Sequence, residues 1–304
     1  MRNIQTWVAL ALGTWASACG SPAAEPGAPS TSASVGAAPT TASASGTTTG
    51  STAATASSAT VDPSDPAQVV NPTGEKPYAG PTATLRGTVR VTGDPPPDMP
   101  ERIPADCAAA AATHGKLFRV GQDGALADVL VAVTGYPGYV PAEGPARKIT
   151  IEGCAFSART VGMTFGQYLE VENRDPRNTY IPYLVGGRQA AQLVAMPRGE
   201  PVKLYAKQPA RYPLIDEQGR RFMTADLFVL KFATFDVTRL DGRYEIRGIP
   251  VGDVKVSALL PAAKMKVKNE KLKLVPGDNT LDFTLEFDAK TDTPPPPAPP
   301  SPSP

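Results

Sequence analysis

Side chains that bind transition metals or act as nucleophiles are scarce in this 304-residue sequence. It contains one histidine, His114, and three cysteines, Cys19, Cys107 and Cys154. A Ser-His-Asp triad, a Cys-His pair or a multi-histidine zinc site would have to use His114, and no serine elbow or HExxH motif accompanies it. His114 follows an alanine run and precedes Gly115, which predicts a solvated histidine at a helix end. We therefore expect no catalytic residues and no enzymatic activity.

The charged residues argue against nucleic acid as a partner. Lys and Arg number 30 and Asp and Glu number 29, and no long basic run occurs. Binding to nucleic acid depends mainly on neutralising phosphates, which a chain of balanced charge does poorly. The carboxylates are common, but no local arrangement selects a pair for acid–base chemistry.

The N-terminal residues predict export and place Cys19 at the processing site. Residues 1–18 combine one Arg, a short apolar run and small residues, and the run is too short to span a bilayer as a stable helix. Residues 17–19 resemble the end of a bacterial lipobox, which implies acylation of Cys19 by chains such as palmitate. By the same resemblance, Gly20 implies delivery to the outer membrane. Residues 16–18 also satisfy the rule for ordinary secretory cleavage, which leads instead to a periplasmic or secreted soluble protein.

Low-complexity segments occupy both ends of the mature chain. Residues 19–77 are rich in Ala, Ser, Thr, Gly and Pro and predict a disordered tether. Such a tether spans on the order of 40 Å. Residues 290–304 form a Pro-rich tail, which acts as a spacer or contacts a proline-binding partner.

The residues between these segments predict an all-β fold. Short runs such as TLRGTVRVT, RKITIE, GRYEIRGI and TLDFTLEF alternate apolar and polar residues between Gly, Pro, Asp and Asn. Both tryptophans lie in the leader, so the core must use Val, Ile, Leu, Phe and Tyr, which suit strands.

The last of these strands carry a recognisable pattern. Residues 235–289 resemble the carboxypeptidase regulatory-like, transthyretin-type β module. This resemblance implies a role as a packing or adhesion unit. The matching residues are Val237, Thr238, Asp241, Gly242, Tyr244, Ile246, Ile249, Pro250 and Gly252. The segment KLKLVPGDNTLDFTLEF then predicts a hairpin through residues 276–279.

Residues 78–234 resemble a plastocyanin-like, or cupredoxin, domain through GTVRVTGDPPP, IEGCAF and LEVENRDPRNTYIPY. In relatives that bind copper, this resemblance implies two histidines, a cysteine and a methionine at four positions, which here hold Thr179, Glu217, Arg220 and Met223. A blue-copper centre needs imidazoles and a thiolate, and Arg220 would add a positive charge beside the ion. We therefore expect a cupredoxin-like sandwich without metal, in which Met223 is a core residue. A copper or electron carrier with other ligands is the alternative.

Cys107 and Cys154 remain if Cys19 carries lipid. In an oxidising compartment one disulfide between them is the economical assignment. Closing this loop stabilises a domain by ~4 kcal/mol in the entropy model. The alternative is a Cu(I) site made from the two thiols and Met223.

Four tyrosines are candidates for a binding surface. Tyr136 and Tyr139 lie in GYPGYVP, and Tyr180 and Tyr183 lie in TYIPY. Tyrosines on rigid loops bind protein or sugar at low entropic cost, whereas the alternative is that they cover the ends of the sandwich. The sequence thus predicts a non-catalytic envelope lipoprotein that binds an unidentified protein or glycan partner or has a structural role. A carbohydrate-binding accessory protein is a further alternative.

Overall fold

The computed structural model describes residues 65–189 and 191–295. The strands of this part are β1 (Thr82–Gly93), β2 (Leu130–Thr134), β3 (Ala146–Glu152), β4 (Ala155–Phe156), β5 (Thr160–Thr164), β6 (Tyr168–Asn173), β7 (Pro182–Leu184), β8 (Val202–Leu204), β9 (Arg211–Asp216), β10 (Thr224–Leu230), β11 (Phe235–Val237), β12 (Arg243–Pro250), β13 (Gly252–Leu260), β14 (Lys266–Leu274), β15 (Gly277–Thr280) and β16 (Phe283–Phe287). The helices are α1 (Pro66–Val70), α2 (Ala111–His114) and α3 (Ala289–Asp292), and 3-10 turns cover Ala105–Ala110 and Gln122–Gly124. The predicted all-β class is confirmed.

Eight strands form a first sandwich, which we call the outer sandwich. One sheet has the order β12-β1-β15, with β16 also paired to β1, and the other has the order β11-β2-β13-β14. Alternating apolar residues of both sheets fill the space between them, including Leu85, Val131, Val256 and Phe283, all buried. This is the expected packing of two facing sheets whose strands are buried on one face.

The other eight strands form a second sandwich, which we call the insert sandwich. Its sheets have the orders β5-β10-β9-β7 and β4-β3-β6-β8. Its core is a separate cluster that includes Ile149, Met163, Leu169, Leu214 and Leu227.

The insert sandwich interrupts the chain of the outer sandwich between β2 and β11. Its two connections meet, because Val133 N–H donates to the Thr234 carbonyl at 2.9 Å and Thr234 Oγ1 lies 2.7 Å from the Val133 carbonyl oxygen. β1 and β2 therefore share a sandwich with the strands after residue 235. The boundary predicted between residues 234 and 235 does not match this grouping, because turn spacing along a chain does not reveal which strands pair.

The predicted hairpin through residues 276–279 is wrong. β14 pairs with β13, from Gly252 opposite Leu274 to Leu260 opposite Lys266, whereas β15 and β16 both run parallel to β1. The turn sequence is compatible with a hairpin and with the observed pairing, so it does not distinguish them. The alternating apolar residues of β16 are buried through its pairing with β1 instead of with β14.

Several contacts join the two sandwiches, including packing of β5 against β11 and hydrogen bonds around Asp128. A Cβ on Gly162 of β5 would lie 2.5 Å from the Phe235 ring of β11, so glycine is needed for this approach. Arg119 donates twice to Asp128, at 2.6 Å each, and Asp128 also accepts the Arg159 N–H at 2.8 Å.

The structure corrects the inner limits of both predicted low-complexity segments. α1 begins at Pro66 with an Asp65 cap, and Val69 and Val70 pack against the insert core, so the predicted tether to residue 77 is too long. α3 occupies the start of the predicted tail, with Asp288 as its cap. The predicted signal, the Cys19 anchor and the remaining tether and tail lie outside the described residues. Within residues 65–189 and 191–295, no helix has the length and apolar character to cross a membrane.

Candidate functional site

The four positions implied as copper ligands in relatives lie on two loops at one end of the insert sandwich. Thr179 belongs to the loop between β6 and β7, and the other three belong to the loop between β9 and β10. β7 pairs with β9, with Pro182 opposite Asp216, so the two loops are adjacent.

An ion pair forms where the second histidine is implied. Arg220 Nη1 donates to Asp216 Oδ2 at 2.7 Å, and Asp216 Oδ1 accepts the Ile181 N–H at 2.8 Å. The Asp216 side chain is 0% exposed and that of Arg220 is 21% exposed. A buried carboxylate is tolerated when its oxygens are paired in this way.

The Arg220 guanidinium also stacks on Tyr180. Its carbon lies 4.6 Å from the Tyr180 ring centroid, a cation–π distance. The Tyr180 hydroxyl donates a short hydrogen bond to Asp175 Oδ2. Burial and the neighbouring Asp175 carboxylate raise the pKa of the Tyr180 hydroxyl, which therefore stays protonated.

Asp175 connects this chain of contacts to β6 and to the disulfide. Its Oδ2 accepts the Cys154 N–H at 3.3 Å, and its own N–H donates to Asn173 Oδ1 at 3.0 Å. The Asn173 amide donates to the carbonyls of Asn178 and Ala195, both at 2.8 Å. We call Asp175, Tyr180, Asp216 and Arg220 the Tyr180 network.

The structure contains the predicted disulfide between Cys107 and Cys154. Both residues are buried. The bond joins the 3-10 turn Ala105–Ala110 to the turn between β3 and β4. The two sulfurs considered for a Cu(I) site are thus bonded to each other.

The remaining implied positions do not converge on a common point. The Thr179 carbonyl accepts from Arg220 at 3.5 Å, and the exposed Glu217 carboxylate accepts from Gln192 at 3.3 Å. Met223 is fully buried in the insert core, as a core residue should be. Within the part of the chain that the structure describes, no three His, Cys, Asp or Glu residues are grouped to hold a metal ion.

Several solved structures resemble part of this chain. The Cu-containing nitrite reductase of Thermus scotoductus SA-01 has 15% identity over 32% of this chain, with a TM-score of 0.25, and the match covers 25% of that enzyme. A reduced mutant of amicyanin has 16% identity over 33% of this chain and 99% of its own, with a TM-score of 0.25. Auracyanin A, a blue copper protein of Chloroflexus aurantiacus, has 15% identity over 28% of this chain and 98% of its own, with a TM-score of 0.23. No protein-family model and no curated protein matches the chain.

His114 is buried, and the prediction of a solvated histidine is wrong. It is 2% exposed, and neither ring nitrogen has a hydrogen-bond partner among the described residues. Its ring lies 6.1 Å from that of Phe222. Burial, together with the nearby cations Arg159 and Arg119, lowers the pKa of His114 to about 3. The helix packs its C-terminal turn against the insert core, which the alanine run does not reveal.

The four candidate tyrosines have different environments. Tyr180 is 0% exposed, so its prediction as a binding residue is wrong. The Tyr136 hydroxyl lies 2.8 Å from Thr234 Oγ1 at the junction of the sandwiches. Tyr139 and Tyr183 are half-buried.

Among the described residues, the most exposed aromatic side chain is a tyrosine that the sequence analysis did not select. Tyr205 is 45% exposed, and its ring centroid lies 5.6 Å from that of Tyr168. Neither residue lies in a Pro- or Gly-rich run, so no sequence signal distinguished them from strand-edge tyrosines.

Proposed function

We propose that this protein is a non-catalytic component of the bacterial cell envelope that serves as a binding or structural unit. A lipid on Cys19 anchors it to the outer membrane. The insert sandwich is a metal-free, cupredoxin-like domain, and the outer sandwich is a transthyretin-type module that carries it.

The ion pair between Arg220 and Asp216 is the observation that carries this proposal. A guanidinium occupies a position implied as a copper ligand and is held by a buried carboxylate at 2.7 Å. A permanently charged arginine does not bind a metal cation and repels one nearby. In the Tyr180 network, the Arg220 guanidinium therefore balances the buried Asp216 carboxylate, and no metal ion is needed for this.

The nested connection of the sandwiches supports a role in display. Both chain crossings lie side by side at Val133 and Thr234, so the insert is held by two connections. A domain held in this way keeps its orientation better than one on a single flexible linker.

Metal analysis of the full-length protein, exported into a copper-supplemented periplasm, tests the proposal. We expect less than stoichiometric copper and no thiolate charge-transfer band, both before and after reduction of the disulfide. Met223→Leu is the matched control, because a core methionine exchanged for leucine leaves metal content unchanged. Stoichiometric copper that is lost in Met223→Leu would contradict the metal-free proposal and favour a copper carrier.

A further inference from the structure

The most basic segment of the chain is β14 together with the end of the turn that precedes it. Residues 264–273 contain five lysines and one glutamate, whereas the whole chain has 30 basic and 29 acidic residues. We call the five the β14 lysines, and they are Lys264, Lys266, Lys268, Lys271 and Lys273. A local excess of one sign of charge creates a field that attracts partners of the opposite sign.

β14 is the edge strand of its sheet. It pairs with β13 from Lys266 to Leu274, and no other strand of the described residues pairs with it. At about 3.3 Å per residue, the strand is about 30 Å long. The β14 lysines are therefore spread along a line at the rim of the outer sandwich.

The solvent face of β14 combines cations with an exposed apolar side chain. Leu272 and Leu274 pack in the outer core, so Lys271 and Lys273 lie on the opposite face of the strand, together with Val267. Both lysines are exposed, and Val267 is 39% exposed. Attraction of cations to anionic lipids and burial of apolar groups at the headgroup boundary together determine binding to a membrane surface.

Most of the charge of the β14 lysines is not neutralised by the described part of the chain. Lys266 pairs with Asp292 at 2.5 Å, and it is the one β14 lysine with an ion pair among the described residues. Lys268 donates to a backbone carbonyl at 3.3 Å, which leaves its charge in place. Asp253 of β13 stands opposite Lys273 in the register, but the two form no ion pair. The segment therefore retains a net positive charge that a partner can neutralise.

This geometry favours an extended anionic surface over other anionic partners. A single phosphate group cannot contact lysines that are spread along a strand of this length. Lysines at the edge of a sheet oppose the addition of another strand, which argues against an extended acidic peptide. A bilayer presents phosphates over its whole area, and its interfacial layer accommodates an apolar side chain such as Val267.

We propose that β14 lies on the anionic phospholipid headgroups of the membrane that carries the protein. Each lysine near such a surface strengthens binding about fivefold, so the contact is reversible and the lipid on Cys19 remains the anchor. The contact orients the outer sandwich with its β14 edge on the bilayer. This inference rests on the proposed envelope location, and it specifies which surface of the protein faces the membrane.

Sedimentation of the full-length Cys19→Ser protein with lipid vesicles tests the inference. Vesicles of phosphatidylcholine with one-third phosphatidylglycerol are compared with vesicles of phosphatidylcholine alone. We expect binding to the anionic vesicles that weakens as salt is added, and at least about tenfold weaker binding to the neutral vesicles. Because this variant cannot carry a lipid at position 19, the result does not depend on whether Cys19 is the anchor.

Two triple variants separate the β14 lysines from the overall charge. Neutralising three exposed β14 lysines should weaken binding about a hundredfold. Neutralising three exposed cations of the insert sandwich makes the same change in net charge and should alter binding by less than about threefold. The variants are Lys268→Gln with Lys271→Gln and Lys273→Gln, and Lys207→Gln with Arg221→Gln and Lys231→Gln.

A variant that gains affinity shows that misfolding is not the cause of the losses. Glu270→Gln removes the one acidic residue of the segment and should strengthen binding by up to about fivefold. Four results would each overturn the proposal. They are no binding to anionic vesicles, equal binding to neutral vesicles, equal losses in the two triple variants, and release from the vesicles by inorganic phosphate or by a poly-glutamate peptide, which would identify a phosphate site or an acidic peptide partner instead.

Discussion

Asp216 is the residue on which the stability of the Tyr180 network depends. Replacing it with Ala leaves Arg220 partly buried without its partner and frees the Ile181 N–H. Breaking a buried pair of this kind costs about 3 kcal/mol. We expect Asp216→Ala to lower the free energy of unfolding by that amount in urea titrations.

A matched control is the pair between Arg211 and Asp226, at 2.7 Å with side chains 40% and 17% exposed. Asp226→Ala should cost at most about 1 kcal/mol, because solvent screens the pair. Exchanging both partners of the buried pair, Asp216→Leu with Arg220→Met, should recover most of the lost stability. Equal costs for Asp216→Ala and Asp226→Ala would refute the special role of the network.

His114 should make the free energy of unfolding depend on pH. The dependence should begin at a higher pH than the range in which most carboxylates titrate. Its pKa is lowered to about 3 in the folded state and is near 6.5 in the unfolded chain. The unfolded state therefore binds the proton first, and stability is lost as pH falls from about 6.5 towards 3, by about 2 kcal/mol at pH 5. Urea unfolding at pH 7 and pH 5 measures this loss.

His114→Phe isolates that contribution. Phenylalanine fits the apolar contact with Phe222 and has no titrating group. The variant should lose about 2 kcal/mol less than the wild type between pH 7 and pH 5. An identical pH dependence in the two proteins would show that burial of His114 does not control its protonation.

At the residue scale, the sequence identifies the residues that stand at the implied ligand positions, but it does not identify the contacts that these residues make. The unsuitability of Arg220 as a ligand follows from its chemistry alone. Its partner Asp216 could not be identified, because their contact depends on how the β9–β10 loop folds back beside β7. The burial of His114 could not be predicted for a related reason, since α2 packs against residues far along the chain, including Phe222.

At the element scale, β1 is essential to the outer sandwich. It pairs antiparallel with β12 and parallel with both β15 and β16. Residues 235–289 alone therefore lack the central strand of one sheet, and also lack β2, which lies between β11 and β13 in the other.

We expect an isolated peptide of residues 235–289 to be unfolded. Circular dichroism and the amide dispersion of its NMR spectrum measure this directly, with the full-length protein as reference. In the full-length protein, Leu85→Ala should cost about 3 kcal/mol, because Leu85 on β1 is 0% exposed. A folded, dispersed spectrum from the peptide would contradict the essential role of β1.

The alternation of apolar and polar residues was sufficient to predict individual strands, but it did not predict which strands pair with each other. The alternation in TLRGTVRVT and TLDFTLEF correctly indicated β1 and β16. Their parallel pairing joins residues nearly 200 positions apart, such as Val89 of β1 opposite Phe283 of β16. Periodicity reports the buried face of a strand and carries no information about such distant pairing.

At the scale of the whole molecule, the predicted anchor determines where the two sandwiches act. We expect Cys19→Ser to move the protein from the membrane fraction to the soluble fraction, because at about 0.8 kcal/mol per buried methylene the acyl chains supply most of the binding. Fractionation with immunoblotting measures the distribution, and mass spectrometry measures the lipid. Ser21→Ala, two residues beyond the anchor, is the control and should stay membrane-bound. Retention of Cys19→Ser on the membrane would exclude Cys19 as the anchor.

The nesting of one sandwich within the other imposes an order on biosynthesis. Arg86 of β1 pairs with Glu245 of β12 across a separation of 159 residues. At ribosomal rates of about 5–20 residues per second, β1 waits roughly 8 to 30 seconds for its partner to be made. During that interval its apolar face lacks its native cover, while the insert strands can already assemble. A chaperone that shields nascent β1 should therefore raise the yield of the whole chain more than one that acts after synthesis ends.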